Sequence, residues 1–172
     1  MLFITTRWPG DSALGHASTT TPLHTAALSA ALPAGKAPDY RQIILAHWQA
    51  MAALEVEKAL AFYTEDFSFS DPTLHMDLPS KAQVRATLLQ LCASYANVRF
   101  TLQQLISGPA WAVAQHTLAG SYRPPQRPEA GYREFAVRGV SVFEFAGAKF
   151  KRQTDYYDAL TLRQQLGLQE RN

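Results

Sequence analysis

The chain has 172 residues, enough for one domain with an appendage, and 16 Lys and Arg against 14 Asp and Glu leave a formal charge of +2. Hydrophobic residues at 47% and charged residues at 17% fit a packed core and exclude disorder throughout. The near-neutral balance gives no call for a nucleic-acid partner, no stretch is long and apolar enough to span a bilayer, and a single cysteine, Cys92, excludes an internal disulfide or a Cys-rich zinc site.

Residues 1–37 are rich in Thr, Ser, Ala, Pro and Gly, with Arg7, Asp11 and Lys36 as their charged residues. Irregular hydrophobic spacing there predicts a disordered tail. A Ser/Thr-rich stretch poor in acids also fits a targeting segment, although two basic residues are few for one, and an upstream start codon is a third reading. Residues 38–172 are expected to form the domain, with a cytoplasmic location unless the tail directs it elsewhere.

Asp39 and Gln42 have the spacing of a capping box, and Ile44, Trp48, Met51 and Ala52 recur at helical intervals. A second helical stretch has Val56, Ala59, Leu60 and Tyr63 on one side and Glu55, Glu57 and Lys58 on the other. Phe67 and Phe69 alternate with Ser68 and Ser70 as in a short strand, which Asp71-Pro72 ends. Ser80, with Gln83 three residues on, caps a helix whose stripe is Val84, Leu88, Leu91 and Tyr95.

The period then becomes two. Val98, Phe100 and Leu102 open a strand that Gly108-Pro109 breaks, and Trp111 to Leu118 is the next, closed by Gly120. Pro124, Pro125 and Pro128 keep the following loop out of a ladder. Tyr132 to Phe145 and Phe150 to Tyr157 form a hairpin around Ala146-Gly147-Ala148, and Asp158 caps a last helix that Gly167 stops. Helices grouped before four consecutive strands give an α+β fold: a curved antiparallel sheet packed against about three N-terminal helices, cone-shaped with an internal pocket.

Strand parity sharpens this. Phe135, Val137, Ser141, Phe143 and Phe145 share one apolar face of the long strand, which should point inward. The face with Glu134, Arg138, Val140, Val142 and Glu144 is mixed and suits a partly exposed or dimer-forming surface. On the last strand Asp155 shares parity with Gln153 and Tyr157 but not with Phe150, so an inward Phe150 and an inward Asp155 require a bulge between them.

Four strings resemble the nuclear transport factor 2-like superfamily, and within it the SnoaL-like branch of polyketide cyclases, ketosteroid isomerases and limonene epoxide hydrolases. They are Phe62-Tyr63-Thr64-Glu65-Asp66-Phe67, Phe69-Ser70-Asp71-Pro72, Arg138 through Phe145, and Thr154-Asp155-Tyr156-Tyr157-Asp158. The likeness covers residues 40–168 and implies a cystatin-like roll. It implies that Asp71 stands where ketosteroid isomerases have their general base. His47 and Ser141 fall where those enzymes have a Tyr and a protonated Asp. Asp155 matches one member of the epoxide hydrolases' Asp-Arg-Asp triad, while His116 and Leu118 lie nearest the other two, so that triad is broken.

An inward carboxylate among aromatic rings is poorly solvated, which raises its pKa and suits proton transfer near neutral pH. The catalytic candidates are thus Asp155, Asp71 and His47, with His47 and His116 as polarising groups or donors. Trp48, Tyr63, Phe67, Phe69, His116, Phe135, Ser141, Phe143 and Tyr157 are candidates to line the site. The plainer alternatives are that Asp71 only shapes its turn and that His47 is a core histidine. No His-Glu-x-x-His pair or Gly-rich phosphate loop is present, so neither metal nor cofactor is expected. The expected activity is cofactor-free acid–base chemistry on a small apolar, oxygenated molecule, by isomerisation, cyclisation or hydration. The alternative is a non-catalytic ligand-binding or interaction domain. The resemblance also implies a homodimer.

Overall fold

The computed structural model describes residues 38–168, and the expectations for 1–37 lie outside the described residues. Its elements are α1 (Tyr40–Ala52), α2 (Val56–Leu60), β1 (Tyr63–Asp71), a 3-10 turn (Pro72–Leu74), β2 (Met76–Leu78), α3 (Lys81–Cys92), β3 (Tyr95–Gly108), β4 (Trp111–Tyr122), a second 3-10 turn (Pro128–Ala130), β5 (Arg133–Ala146), β6 (Lys149–Tyr157) and α4 (Ala159–Leu166). The fold is α+β, as the grouping of helices before strands predicts. The six strands lie in the order β2-β1-β6-β5-β4-β3, antiparallel except for the parallel pair β1–β6. No helix among the described residues is long and apolar enough to cross a membrane.

Three helix starts follow from their caps. The Asp39 carboxylate accepts from Gln42 N at 3.1 Å, the Ser80 hydroxyl from Gln83 N at 3.3 Å, and the Asp158 carboxylate from Thr161 N at 2.9 Å. α4 stops at Gly167, whose φ of 65° is the left-handed conformation a helix C-terminus favours.

Several boundaries differ from the sequence reading. Tyr63 and Tyr95 were expected on helical stripes but open β1 and β3, because an apolar residue one turn beyond a helix has the same spacing as one inside it. β4 runs through Gly120 to Tyr122. A Cβ at Gly120 would come within 3.3 Å of the Phe135 ring and 3.1 Å of Ala96 O, so this glycine permits close packing and does not end the strand. β2, with three residues, is too short to show a period.

The bulge that parity required is present. Glu144 pairs with Arg152 while Phe145 pairs with Phe150, leaving Lys151 as the extra residue. Lys151 and Arg152 are consecutive exposed residues, and Phe150, Gln153 and Asp155 are all buried.

α1 lies on the inner face of the sheet. Tyr40 stacks on Phe145 of β5 and donates to Pro109 O at 2.6 Å, while Trp48 stacks on Phe100 of β3 at 5.2 Å. β6 begins to pair with β5 only at Gly139. Nearer the start of β5, Gln165 of α4 supplies both partners that another strand would give. It accepts from Ala136 N at 2.9 Å and donates to Ala136 O at 3.2 Å.

Candidate functional site

The register sets the inner face out in rows. Gln153 lies between Phe69 of β1 and Phe143 of β5, with Ala112 beyond on β4. One step along, Asp155 opposes Ser141, and Ser141 opposes Ala114. In the next row Tyr157 opposes Gly139, which opposes His116. Asp155, Ser141, His116 and Asp71 are all at most 1% exposed.

Asp155 is held by a neighbour on its own strand. Gln153 Nε2 donates to Oδ1 at 3.0 Å and to Oδ2 at 3.1 Å, so both carboxylate oxygens act as acceptors. Gln153 shares Asp155's face, as parity predicts, but parity could not show that its amide reaches the carboxylate.

Asp71 ends β1 and caps the 3-10 turn, its Oδ1 accepting from Leu74 N at 3.1 Å. The turn-shaping role is therefore real. Its Oδ2 is also buried and makes no hydrogen bond of full geometry, nor does the hydroxyl of Tyr157, which it faces. Burial pushes the Asp71 carboxyl up, against the pull of the Leu74 amide and the Tyr157 hydroxyl. Burial and then the Asp71 charge push the Tyr157 phenol up, which keeps it protonated.

His116 sits under Trp48 with ring centroids 4.9 Å apart. Its Nδ1 lies 3.3 Å from Ala114 O. A carbonyl can only accept, so Nδ1 carries the hydrogen and Nε2 of the neutral ring is a bare acceptor. Burial lowers the His116 pKa to about 4, which keeps the ring neutral. The sequence reading made this histidine a polarising group or a donor; with Nδ1 donating to Ala114 O, the remaining ring nitrogen can accept. Gly139 gives the ring its room, since a Cβ there would come within 3.3 Å of Cε1 and Nε2 and 3.0 Å of Tyr156 O.

His47 belongs elsewhere. Its Nε2 is 2.8 Å from the Tyr63 hydroxyl, and its ring packs against Phe62, Tyr63 and Phe150. Phe150 lies five residues before Asp155 on β6, roughly 15 Å along the strand. Burial lowers the His47 pKa to about 3, so it is a neutral core histidine. Tyr63 and Phe67, stacked at 3.9 Å, join this aromatic cluster. Phe143 borders both groups, 5.0 Å from Phe150 and beside Gln153, while Phe135 packs edge-on to Tyr95 at the far end of β5. The structure thus brings Asp155, Ser141, His116, Trp48, Phe69, Phe143, Tyr157 and Asp71 to one region and sets His47, Tyr63, Phe67 and Phe135 apart. A small apolar recess of about 30 Å³ opens between the helices and β3, lined by Leu88, Leu91, Cys92, Tyr95 and Phe100 among others.

Comparison with known proteins gives the same lineage. The SnoaL-like domain family matches residues 44–153. The chain belongs to the SnoaL-like family. Its fold is that of a candidate SnoaL-like polyketide cyclase from Shewanella denitrificans OS-217, at 18% identity, a TM-score of 0.68, 77% of this chain and 99% of that one. A hypothetical protein of ketosteroid isomerase-like fold from Catenulispora acidiphila DSM 44928, in complex with trimethylamine, aligns at 16% identity, a TM-score of 0.64, 73% of this chain and 92% of that one. TsrD from Streptomyces laurentii aligns at 21% identity, a TM-score of 0.63, 75% of this chain and 95% of that one. No curated protein matches the chain at a significant level. At these identities the solved structures of the SnoaL-like neighbours establish the fold, and reaction must be argued from residues.

Proposed function

We propose that this SnoaL-like protein binds a small, mostly apolar, oxygenated molecule on its inner face and moves a proton there with Asp155. The observation that carries the reading is a buried carboxylate opposite Ser141 whose two oxygens are fixed by Gln153. A general base needs a defined position before it needs a particular pKa, and the Gln153 fork supplies that position. In isomerisation or cyclisation Asp155 would accept a proton from the ligand and return it at another atom; in hydration it would accept a proton from an added water, whose oxygen bonds to the ligand, and pass that proton to the ligand. The bare Nε2 of His116 is a second acceptor one row away. Asp71 and the Tyr157 hydroxyl are available to hold an oxygen of the ligand. These steps call for no cofactor. The trimethylamine held by the Catenulispora protein supports small-molecule binding on this fold.

Mass spectrometry of compounds released from the natively purified full chain tests the reading. A small apolar oxygenated compound is expected. With that compound as substrate, Asp155→Asn keeps the shape and removes the acceptor, so turnover should be lost while thermal stability is kept. Unchanged turnover would remove Asp155 as the base, and turnover absent from the wild type would favour a non-catalytic binding domain.

A second reading concerns the outer face. Thr154, Val142, Val113 and Ile106 form one row across four strands, with Trp111 and Tyr156 to either side. Ile106 is 55%, Tyr156 49% and Trp111 39% exposed. A contiguous apolar patch of this kind suits an interface between copies of the chain. Light scattering is expected to give a dimer, and Ile106→Lys is expected to convert it to a monomer. A wild-type monomer at micromolar concentration would refute the interface.

A further inference from the structure

The Gln153 carboxamide is used at one end only. Its Nε2 is committed to Asp155, whereas its Oε1 is buried and has no hydrogen-bond partner. In this orientation the amide nitrogen meets both carboxylate oxygens and the amide oxygen points away from them. A buried amide oxygen left bare is destabilising, and a side chain that is 5% exposed has little water to satisfy it. Phe69 on β1 and Phe143 on β5 flank the position in the register of the sheet, so the groups beside Oε1 are apolar rings.

We propose that Gln153 selects the ligand: Oε1 accepts a hydrogen bond from an O–H of the bound molecule, so the site takes a small apolar compound carrying a hydroxyl, such as a phenol or an enol, over the ether of the same shape. This rests on the reading that the inner face binds a small molecule. The neighbouring groups agree with it. Two rows along, His116 Nε2, unprotonated when Nδ1 donates to Ala114 O, is a second nitrogen that can accept from the same hydroxyl. A wall that presents an unpartnered acceptor such as Gln153 Oε1 rejects an analogue that lacks the hydrogen far more strongly than an apolar wall alone.

The matched pair 2-naphthol and 2-methoxynaphthalene tests this by calorimetric titration of the full chain. The two share an apolar body, and methylation removes the donor. The wild type is expected to bind 2-naphthol about tenfold more tightly, the effect of one buried hydrogen bond. Gln153→Met keeps length and loses the acceptor, so the ratio should fall to about one. Because this substitution also frees Asp155, the ratio and not either affinity is the readout. In the ¹⁵N-labelled wild type, the Gln153 side-chain amide signal should move with 2-naphthol and not with its methyl ether. That measurement needs no variant to fold. A wild-type ratio near one, a ratio unchanged in Gln153→Met, or no binding of either compound overturns the proposal. Failure of the proton-transfer reading looks different: turnover survives in Asp155→Asn while the naphthol ratio stands.

Discussion

Phe150→Ala is expected to destabilise the protein by about 3–5 kcal/mol, near the top of the range for a single core truncation. Phe150 is fully buried, and its ring lies 4.9 Å from His47, 5.0 Å from each of Phe143 and Phe145, and 6.0 Å from Tyr63. It therefore joins α1, β1, β5 and β6 at one point. Truncation loses the transfer free energy of the ring and leaves a cavity walled by other rings, which are too rigid to close it. The backbone bond from Phe150 N to Phe62 O, at 2.9 Å, survives in alanine, so the loss is one of packing. Urea unfolding measures it. Leu160→Ala, at a side chain 68% exposed, is the control and should move stability by less than about 0.5 kcal/mol. A loss below about 1 kcal/mol in Phe150→Ala would mean that this junction is loosely packed.

Acidification should weaken the fold nearly as much. His47 and His116 are held neutral by burial, with pKa values lowered from 6.5 to about 3 and about 4. Below pH 6.5 the unfolded chain binds protons at both rings that the folded chain refuses. Unfolding then takes up protons, and stability falls as pH drops from 6.5 toward 4. Each ring contributes about 1.4 kcal/mol per pH unit in that window, so the loss by pH 4.5 is on the order of 5 kcal/mol. Asp71 acts in the opposite sense. Its folded pKa is raised above 3.8, so the folded state gains a proton first and recovers some stability as pH falls through that raised value. Urea unfolding between pH 7 and 5 should show a steep decline, reduced by about half in either His47→Gln or His116→Gln. Equal stability at pH 7 and pH 5 would contradict the burial of both rings as neutral groups.

How far the molecule could be read from its residues differs by kind of feature. Caps are local, so Asp39, Ser80 and Asp158 mark helix starts without knowledge of the rest. Parity is local too: an inward Phe150 and an inward Asp155 require a bulge somewhere between them, and the strand register places it at Lys151. Register across strands is not local. Nothing in the string Arg138-Gly139-Val140 says that His116 will lean over that glycine, and nothing in Gln153-Thr154-Asp155 says that the amide will fork onto the carboxylate. His47 shows the limit of a family match. The resemblance sets it where ketosteroid isomerases have a Tyr, whereas here its ring packs on Phe62, Tyr63 and Phe150, and the chain between His47 and Asp71 includes a helix end and an irregular stretch of β1, where pairing jumps from Tyr63 to Ser68. Sequence distance there does not measure position in space.

The amide of Gln165 has a meaning beyond its two bonds. A row of unpaired N–H and C=O groups is a template that recruits a strand from a second molecule, and folds commonly blunt such templates with charge, proline or cover. Here one side chain occupies the vacancy from a helix, so α4 serves as a guard against runaway association between molecules as well as a support for β5.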